Sequence, residues 1–251
     1  MTSKDHFNQQ ATHYDQQWNS WSEESLRWML DHSAAGPADR VLDAGTGAGF
    51  TALAFATRAA HVTGVDVSEG MLAEATRNAG GRANVDFRVA PAESLPFPDG
   101  AFDLVTCRMA AHHFDSVPAF LCESRRVLAP GGRLVIADTT VPDDDPETDA
   151  WQNRVEALRD SSHRRNYTPG EWTRMAAGAG FKVDTVDSTT GGVPITLNAW
   201  LIKGGCSKEA EMEVRALFAS ASERIRRLLA IQQLEGGDTA FRWMRVCLAA
   251  K

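Results

Sequence analysis

The stretch Val41-Leu42-Asp43-Ala44-Gly45-Thr46-Gly47-Ala48-Gly49-Phe50 runs strand formers into an acid, then into three alternate glycines and a helix-forming segment. Such a strand, tight turn and helix start lets the backbone come close to a ligand. The spacing decides which nucleotide chemistry follows. A dinucleotide turn has G-x-G-x-x-G, with a pyrophosphate on the helix N-terminus. Here the spacing is G-x-G-x-G, Phe50 stands at the third dinucleotide glycine, and Asp43 directly precedes the turn. A carboxylate there repels a pyrophosphate and suits a ligand with a cationic end. Asp66 ends the next apolar run, 21 residues after Gly45. That separation places it for hydrogen bonds to ribose hydroxyls.

Histidines supply the second kind of chemistry. Cys107-Arg108-Met109-Ala110-Ala111-His112-His113-Phe114 follows an apolar strand pattern. Strand ends deliver residues to a ligand in open parallel sheets, and histidine accepts protons near neutral pH. Each of the two also has a plain reading, as a helix cap or a partner for a backbone carbonyl. In Arg159-Asp160-Ser161-Ser162-His163-Arg164, the four ionisable groups read as a solvated face. The alternative is that His163 or Arg159 enters the site and orients a substrate oxygen. No metal centre is expected: His61 lies in a strand, His112 and His113 are adjacent, and no carboxylate stands at a recognisable ligand spacing from them.

These residues need a scaffold. Strand patterns at 39–44, 61–66, 84–89, 102–107 and 132–138 alternate with helical ones, which implies a parallel sheet with helices on both faces. A helical N-terminal segment from about 6 to 34, with Trp18, Trp21, Leu26, Trp28, Met29 and Leu30, ends at Gly36-Pro37. Near the C-terminus, 181–187 and 241–248 read as two further strands. The expectation is a single domain over 1–251: a helical lid at 1–36, a cofactor-binding core at 37–138, and substrate-side insertions at 139–175 and 191–236. The second insertion carries a predicted amphipathic helix from about Ser207 to Gln233. Its aromatics, with those of the first, suit either packing or a partly apolar pocket.

Strand, D-x-G-x-G-x-G, helix, second strand and then Asp66-Val67-Ser68 before Met71-Leu72 resembles the class I S-adenosylmethionine (SAM)-dependent methyltransferases. Val89 to Asp99 is similar to their adenine-contact loop, Gly100 to Thr106 to their fourth strand, and Arg125 to Asp138 to the helix, turn and fifth strand that follow. The histidine segment, Leu158 to Arg164 and Trp200 to Gly205 resemble the ubiquinone/menaquinone-type (UbiE-like) small-molecule enzymes. The resemblance implies a Rossmann-like α/β fold with a seven-stranded, mostly parallel sheet, an antiparallel closing strand, helices on both faces and lid insertions. It implies SAM as cofactor and S-adenosylhomocysteine as product. Asp43, Gly45, Thr46 and Gly47 would hold the methionine portion, Asp66 the ribose, and Val67 and Met71 the adenine. Tyr14, Ala92, Glu93, Arg108 and His113 complete the expected cofactor set. Pro91 stands where many relatives carry an acid, so adenine would rely on backbone groups near Ala92 and Glu93. His112, His113 and His163 are the catalytic candidates, with His112 preferred as general base.

Composition bounds the remaining choices. The chain has 251 residues, 43% hydrophobic and 24% charged, and a net charge of −7. An acidic surface disfavours nucleic acid and anionic membrane as partners. No apolar run approaches the roughly 20 residues of a membrane span, and the N-terminus lacks a signal-peptide core. Cys107, Cys122, Cys206 and Cys247 are scattered, which suits buried free thiols in a cytoplasmic protein. The expected activity is in-line transfer of a methyl group from SAM to carbon or oxygen of a small, partly apolar metabolite, with a homodimer left open. A non-catalytic SAM-binding or partner protein is the alternative. A nicotinamide oxidoreductase is disfavoured by the glycine spacing and by Asp43.

Overall fold

The computed structural model describes residues 3–10 and 22–251. Tyr14, Trp18 and Trp21 lie outside the described residues. Two helices, α1 (Ser3–Gln10) and α2 (Glu23–His32), precede strand β1 (Arg40–Ala44). Then come α3 (Phe50–Phe55), β2 (His61–Asp66), α4 (Glu69–Ala79), β3 (Val85–Val89), β4 (Phe102–Arg108), α5 (Val117–Val127) and β5 (Leu128–Thr139). The first insertion holds α6 (Pro146–Arg159), and α7 (Pro169–Gly178) leads into β6 (Val183–Thr190). The second insertion holds β7 (Ile195–Thr196), α8 (Leu197–Gly204), α9 (Lys208–Ala219), α10 (Glu223–Leu228), β8 (Gln232–Gln233) and β9 (Thr239–Phe241), and β10 (Met244–Ala250) closes the chain.

The main sheet has the order β3-β2-β1-β4-β5-β10-β6, in which β10 runs antiparallel to both neighbours. This is the expected Rossmann-like architecture. Strand β1 shows why it forms. Val41 and Leu42 are both fully buried, and they face opposite layers. Val41 joins Met29 of α2 and Phe55 of α3, whereas Leu42 joins Phe120 and Leu121 of α5 and Trp172 of α7. A strand covered on both faces reads as a continuous apolar run. Its register sets Asp43 between Gly64 of β2 and Thr106 of β4.

The described parts of the N-terminal segment are helical as expected, and α2 packs on the sheet through the fully buried Met29. Three expectations are corrected. The helix expected over Ser207–Gln233 breaks after Ala219. Ser222 restarts the chain as an N-cap whose hydroxyl accepts from the Ile225 N–H, and Gln232–Gln233 is a strand. The strand expected at 241–248 splits: Thr239–Phe241 belongs to a small sheet of order β7-β9-β8, and only Met244–Ala250 closes the main one. Finally, all four cysteines are free, but only Cys107 and Cys247 are buried; Cys206 is half-buried and Cys122 exposed.

The two insertions build a second apolar cluster in which Trp200, Phe218, Phe241 and Trp243 pack ring on ring, with Trp151 at its edge. This cluster roofs the carboxyl ends of the parallel strands. No helix among the described residues is long and apolar enough to cross a membrane.

Candidate active site

The turn after β1 opens a chamber of about 1050 Å³ of empty space, mouth included. Its lining contains Gly45, Thr46, Gly47, Asp66, Val67, Met71, Ala92, Glu93, Arg108 and His113 of the expected cofactor set. Gly47 has φ +51° with open space before its α-carbon, as a close ligand approach requires. Gly45 also has positive φ, but a Cβ there would meet the Ala110 side chain at 2.5 Å, so internal packing rather than a ligand excludes other residues.

Asp43 does not line the chamber. It is buried beneath the turn, accepting hydrogen bonds from Thr46 Oγ1 at 2.7 Å and Thr106 Oγ1 at 2.8 Å. Burial raises its pKa to about 6, and the two threonine hydroxyls oppose that rise. Asp43 therefore bears on the chamber from behind Thr46, which lines it, rather than by direct contact. Asp66 accepts from the Gly47 N–H at 2.9 Å and the Ser68 N–H at 2.9 Å. Burial raises its pKa, and those backbone donors oppose the rise. Asp66 lines the chamber, and a carboxylate has acceptor capacity beyond these backbone donors. Arg108 ties the rim together, donating from Nε to Thr51 Oγ1 at 2.8 Å and from Nη1 to the Ser22 carbonyl at 3.2 Å. The Glu93 carboxylate accepts from the Asp115 N–H through Oε1.

A second chamber, about 800 Å³ of empty space, adjoins the first, and Phe7, Ser22, Met109 and His113 line both. Met109 sits at this junction with φ +54°, an uncommon conformation for its type that costs about 1–3 kcal/mol. Ile195, Trp200 and Trp243 form an apolar wall, and His112, Glu156 and His163 a polar one.

The histidines are held individually. Nδ1 of His112 lies 2.5 Å from Asp138 Oδ1, and the His112 backbone N–H donates to Asp138 Oδ2. Burial alone would lower the His112 pKa, but the Asp138 carboxylate more than offsets this and holds it at about 8. His113 Nδ1 lies 3.0 Å from Ser162 Oγ, whose hydroxyl donates to Asp160 Oδ1 at 2.6 Å. Burial, reinforced by His112, pushes the His113 pKa well below its ordinary value. Burial likewise lowers His163 to about 3. The loop carrying His163 docks on the turn after β4, where the His112 carbonyl accepts from the Arg164 and Arg165 N–H groups.

The run from Arg159 to Arg164 is not a solvated face. Arg159, Asp160 and His163 are buried, and Arg164 is exposed. Arg159 lies over the Trp200 ring and donates to the Trp200 carbonyl. The sequence reading missed Asp138, Asn153, Glu156, Ser162 and Phe7. Asp138 had a usable signal, because it closes the apolar run of β5, one residue before the strand's end, much as Asp66 closes β2. The others had none, since their placement at the chambers depends on how the first insertion and the N-terminal helix fold onto the strand ends.

Known proteins resemble this arrangement. Residues 42–136 match a methyltransferase domain. Over 240 residues the chain is 34% identical to the uncharacterized methyltransferase YcgJ of Bacillus subtilis (strain 168), spanning 95% of this chain and 94% of that one. The crystal structure of a YcgJ protein superposes with a TM-score of 0.83 at 33% identity, covering 91% of this chain and 97% of that chain. A demethylmenaquinone methyltransferase of Thermus thermophilus is 44% identical over 123 residues, 47% of this chain and 56% of that one. With a match to YcgJ that runs nearly end to end, the chain belongs to the SAM-dependent methyltransferases, is similar to their ubiquinone/menaquinone type, and uses SAM as its cofactor.

Proposed function

We propose that this methyltransferase moves the methyl group of SAM to carbon or oxygen of a small, partly apolar metabolite bound in the second chamber. The observation that carries the reading is the pair of adjoining chambers, which share Phe7, Ser22, Met109 and His113. When bound, SAM supplies a methyl group already activated by positive sulfur for in-line displacement.

The protein's own residues hold and align. Gly45, Thr46 and Gly47 face the methionine end, with Asp43 acting behind Thr46. Asp66 receives the ribose hydroxyls. Val67, Met71 and Ala92 enclose the adenine beside the Glu93 backbone, and Arg108 closes the rim. Such alignment is worth roughly 7–11 kcal/mol.

Of the three catalytic candidates, His113 borders both chambers. Its Nδ1–H is spent on Ser162, whose own proton goes to Asp160, so proton acceptance falls to Nε2. General-base help of this kind contributes about 10²–10⁴-fold. His112, favoured from the sequence, is held protonated at neutral pH beside Asp138. It joins His163 at the polar end of the acceptor chamber, opposite Trp200 and Trp243.

The test is transfer from methyl-labelled SAM into a metabolite extract, followed by mass spectrometry. A labelled small product is expected. SAM binding with no labelled product, or label confined to macromolecules, would overturn the reading.

A further inference from the structure

We propose that His112, Glu156 and His163 bind a divalent transition-metal cation at the polar end of the second chamber, with an open coordination position toward an acceptor oxygen. The binding stands by itself; the role toward the acceptor rests on the reading of that chamber given above.

One donor atom from each of the three residues lies within 4.8 Å of the other two. Their orientation is fixed by groups behind them. Asn153 donates through Nδ2 to the Asp149 carbonyl and carboxylate, and its Oδ1 accepts from the Asn166 N–H. That network makes Asn153 Oδ1 an acceptor, so His163 Nε2, 3.0 Å away, is the donor. His163 Nδ1 then carries a lone pair. The side chain is 1% exposed, Nδ1 has no hydrogen-bond partner among the described residues, and it faces Glu156 Oε2 at 3.4 Å. Asp138 claims Nδ1 of His112, which leaves Nε2 as the donor toward the cluster.

The unpartnered lone pair on His163 Nδ1, turned toward the Glu156 carboxylate, is costly unless something positive lies between them. A proton shared by Glu156 and His163 would satisfy that pair and leave the His112 Nε2 proton facing it. A cation satisfies all three and takes the place of the His112 Nε2 proton. The outer partners fit the same reading: Asp138 orients one imidazole, Asn153 the other, and Gln152 holds Glu156 Oε1 at 3.2 Å. Two imidazoles and one carboxylate suit zinc, iron, cobalt or manganese better than magnesium or calcium, which take oxygen ligands. All three residues line the chamber, so the remaining positions face it. A cation there polarises an acceptor hydroxyl or carbonyl oxygen. The acceptor class therefore narrows to metabolites with such an oxygen near the methylated atom.

The experiment uses tag-free full chain, stripped with chelator and titrated with Co²⁺ in the absence of SAM. A single equivalent should bind and give the d–d absorption bands of a low-coordinate nitrogen and oxygen site, displaceable by Zn²⁺. Glu156→Gln and His163→Gln should each weaken Co²⁺ uptake at least tenfold, with SAM affinity unchanged by calorimetry, and Asp138→Asn should weaken uptake about 10–100-fold. Stoichiometry on the unaltered chain decides the matter even if a variant fails to fold. No Co²⁺ uptake, or uptake indifferent to folded Glu156 and His163 variants, overturns the site. Methyl transfer that persists in chelator without uptake overturns the site and leaves the methyltransferase reading standing. Uptake without any methylated product supports the site and overturns the assignment of the chamber.

Discussion

The cofactor chamber and the acceptor chamber share a wall but are built differently. The first is made largely from the ends of β1 to β4 and the segments that follow them, with Phe7 and Ser22 from the N-terminal segment. Its polar contacts come largely from backbone geometry and from Asp66. The second draws His112 from the turn after β4, Glu156 and His163 from the first insertion, Ile195 and Trp200 from the second, and Trp243 from just before β10. The contrast teaches where specificity resides. On the proposed function, the common methyl donor meets the strand-end turns of the sheet, and the acceptor meets side chains brought in largely by the insertions.

The sharpest break in that comparison is Gly47→Val. Valine is strained at φ +51° and its side chain would fill space in front of the turn. SAM binding by calorimetry should be abolished while circular dichroism shows a folded chain. Normal binding by that variant would mean that the turn is not the cofactor's seat. On the acceptor side, His113→Ala should lower kcat by about 10²–10⁴-fold, with SAM affinity far less affected. A raised KM at constant kcat would make His113 a positioning group, and unaltered kinetics would return His112→Ala as the variant to measure.

A third measurement probes the charge buried under the turn. Asp43 has a folded pKa of about 6 against an ordinary 3.8. Between those values the folded chain keeps a proton that the unfolded chain has released. Apo stability from this group is therefore fully present at low pH, falls as pH rises through the window, and levels off above about 6. The loss amounts to at most about 3 kcal/mol. Denaturant unfolding of the wild type against Asp43→Asn, from pH 4 to 7, should show this difference, and a pH-independent difference would show that Asp43 ionises normally. The smallest expected effect is Asp66→Ala, which should weaken SAM binding by roughly 1.5–3 kcal/mol. Unchanged affinity would remove Asp66 from the ribose contact and leave the turn to act alone.

Much of the cofactor half was legible because its signals are local. Apolar runs of strand length, alternate glycines and the acids at the ends of the β1 and β2 runs fall within windows that one strand and one turn determine. The second insertion was less legible. Apolar residues keep a helical rhythm through Leu217, Phe218, Ile225 and Leu229, so nothing in the periodicity marks the break at Ser222, whose hydroxyl caps a new helix. Four ionisable groups between Arg159 and Arg164 likewise read as surface. Packing decided otherwise, by setting Trp200 against Arg159 and docking the following loop on the His112 carbonyl.

The sequence by itself determined the sheet, the turn and the place of Asp66, since hydrophobic periodicity and backbone freedom act over neighbouring residues. Only the tertiary structure decided that Asp43 lies under the turn instead of in the chamber, that His113 stands between two chambers, and that His112, Glu156 and His163 converge. Contacts between residues so far apart leave no periodic trace. They exist because the insertions bury their aromatics over the strand ends, and burial there carries the polar side chains to a common point.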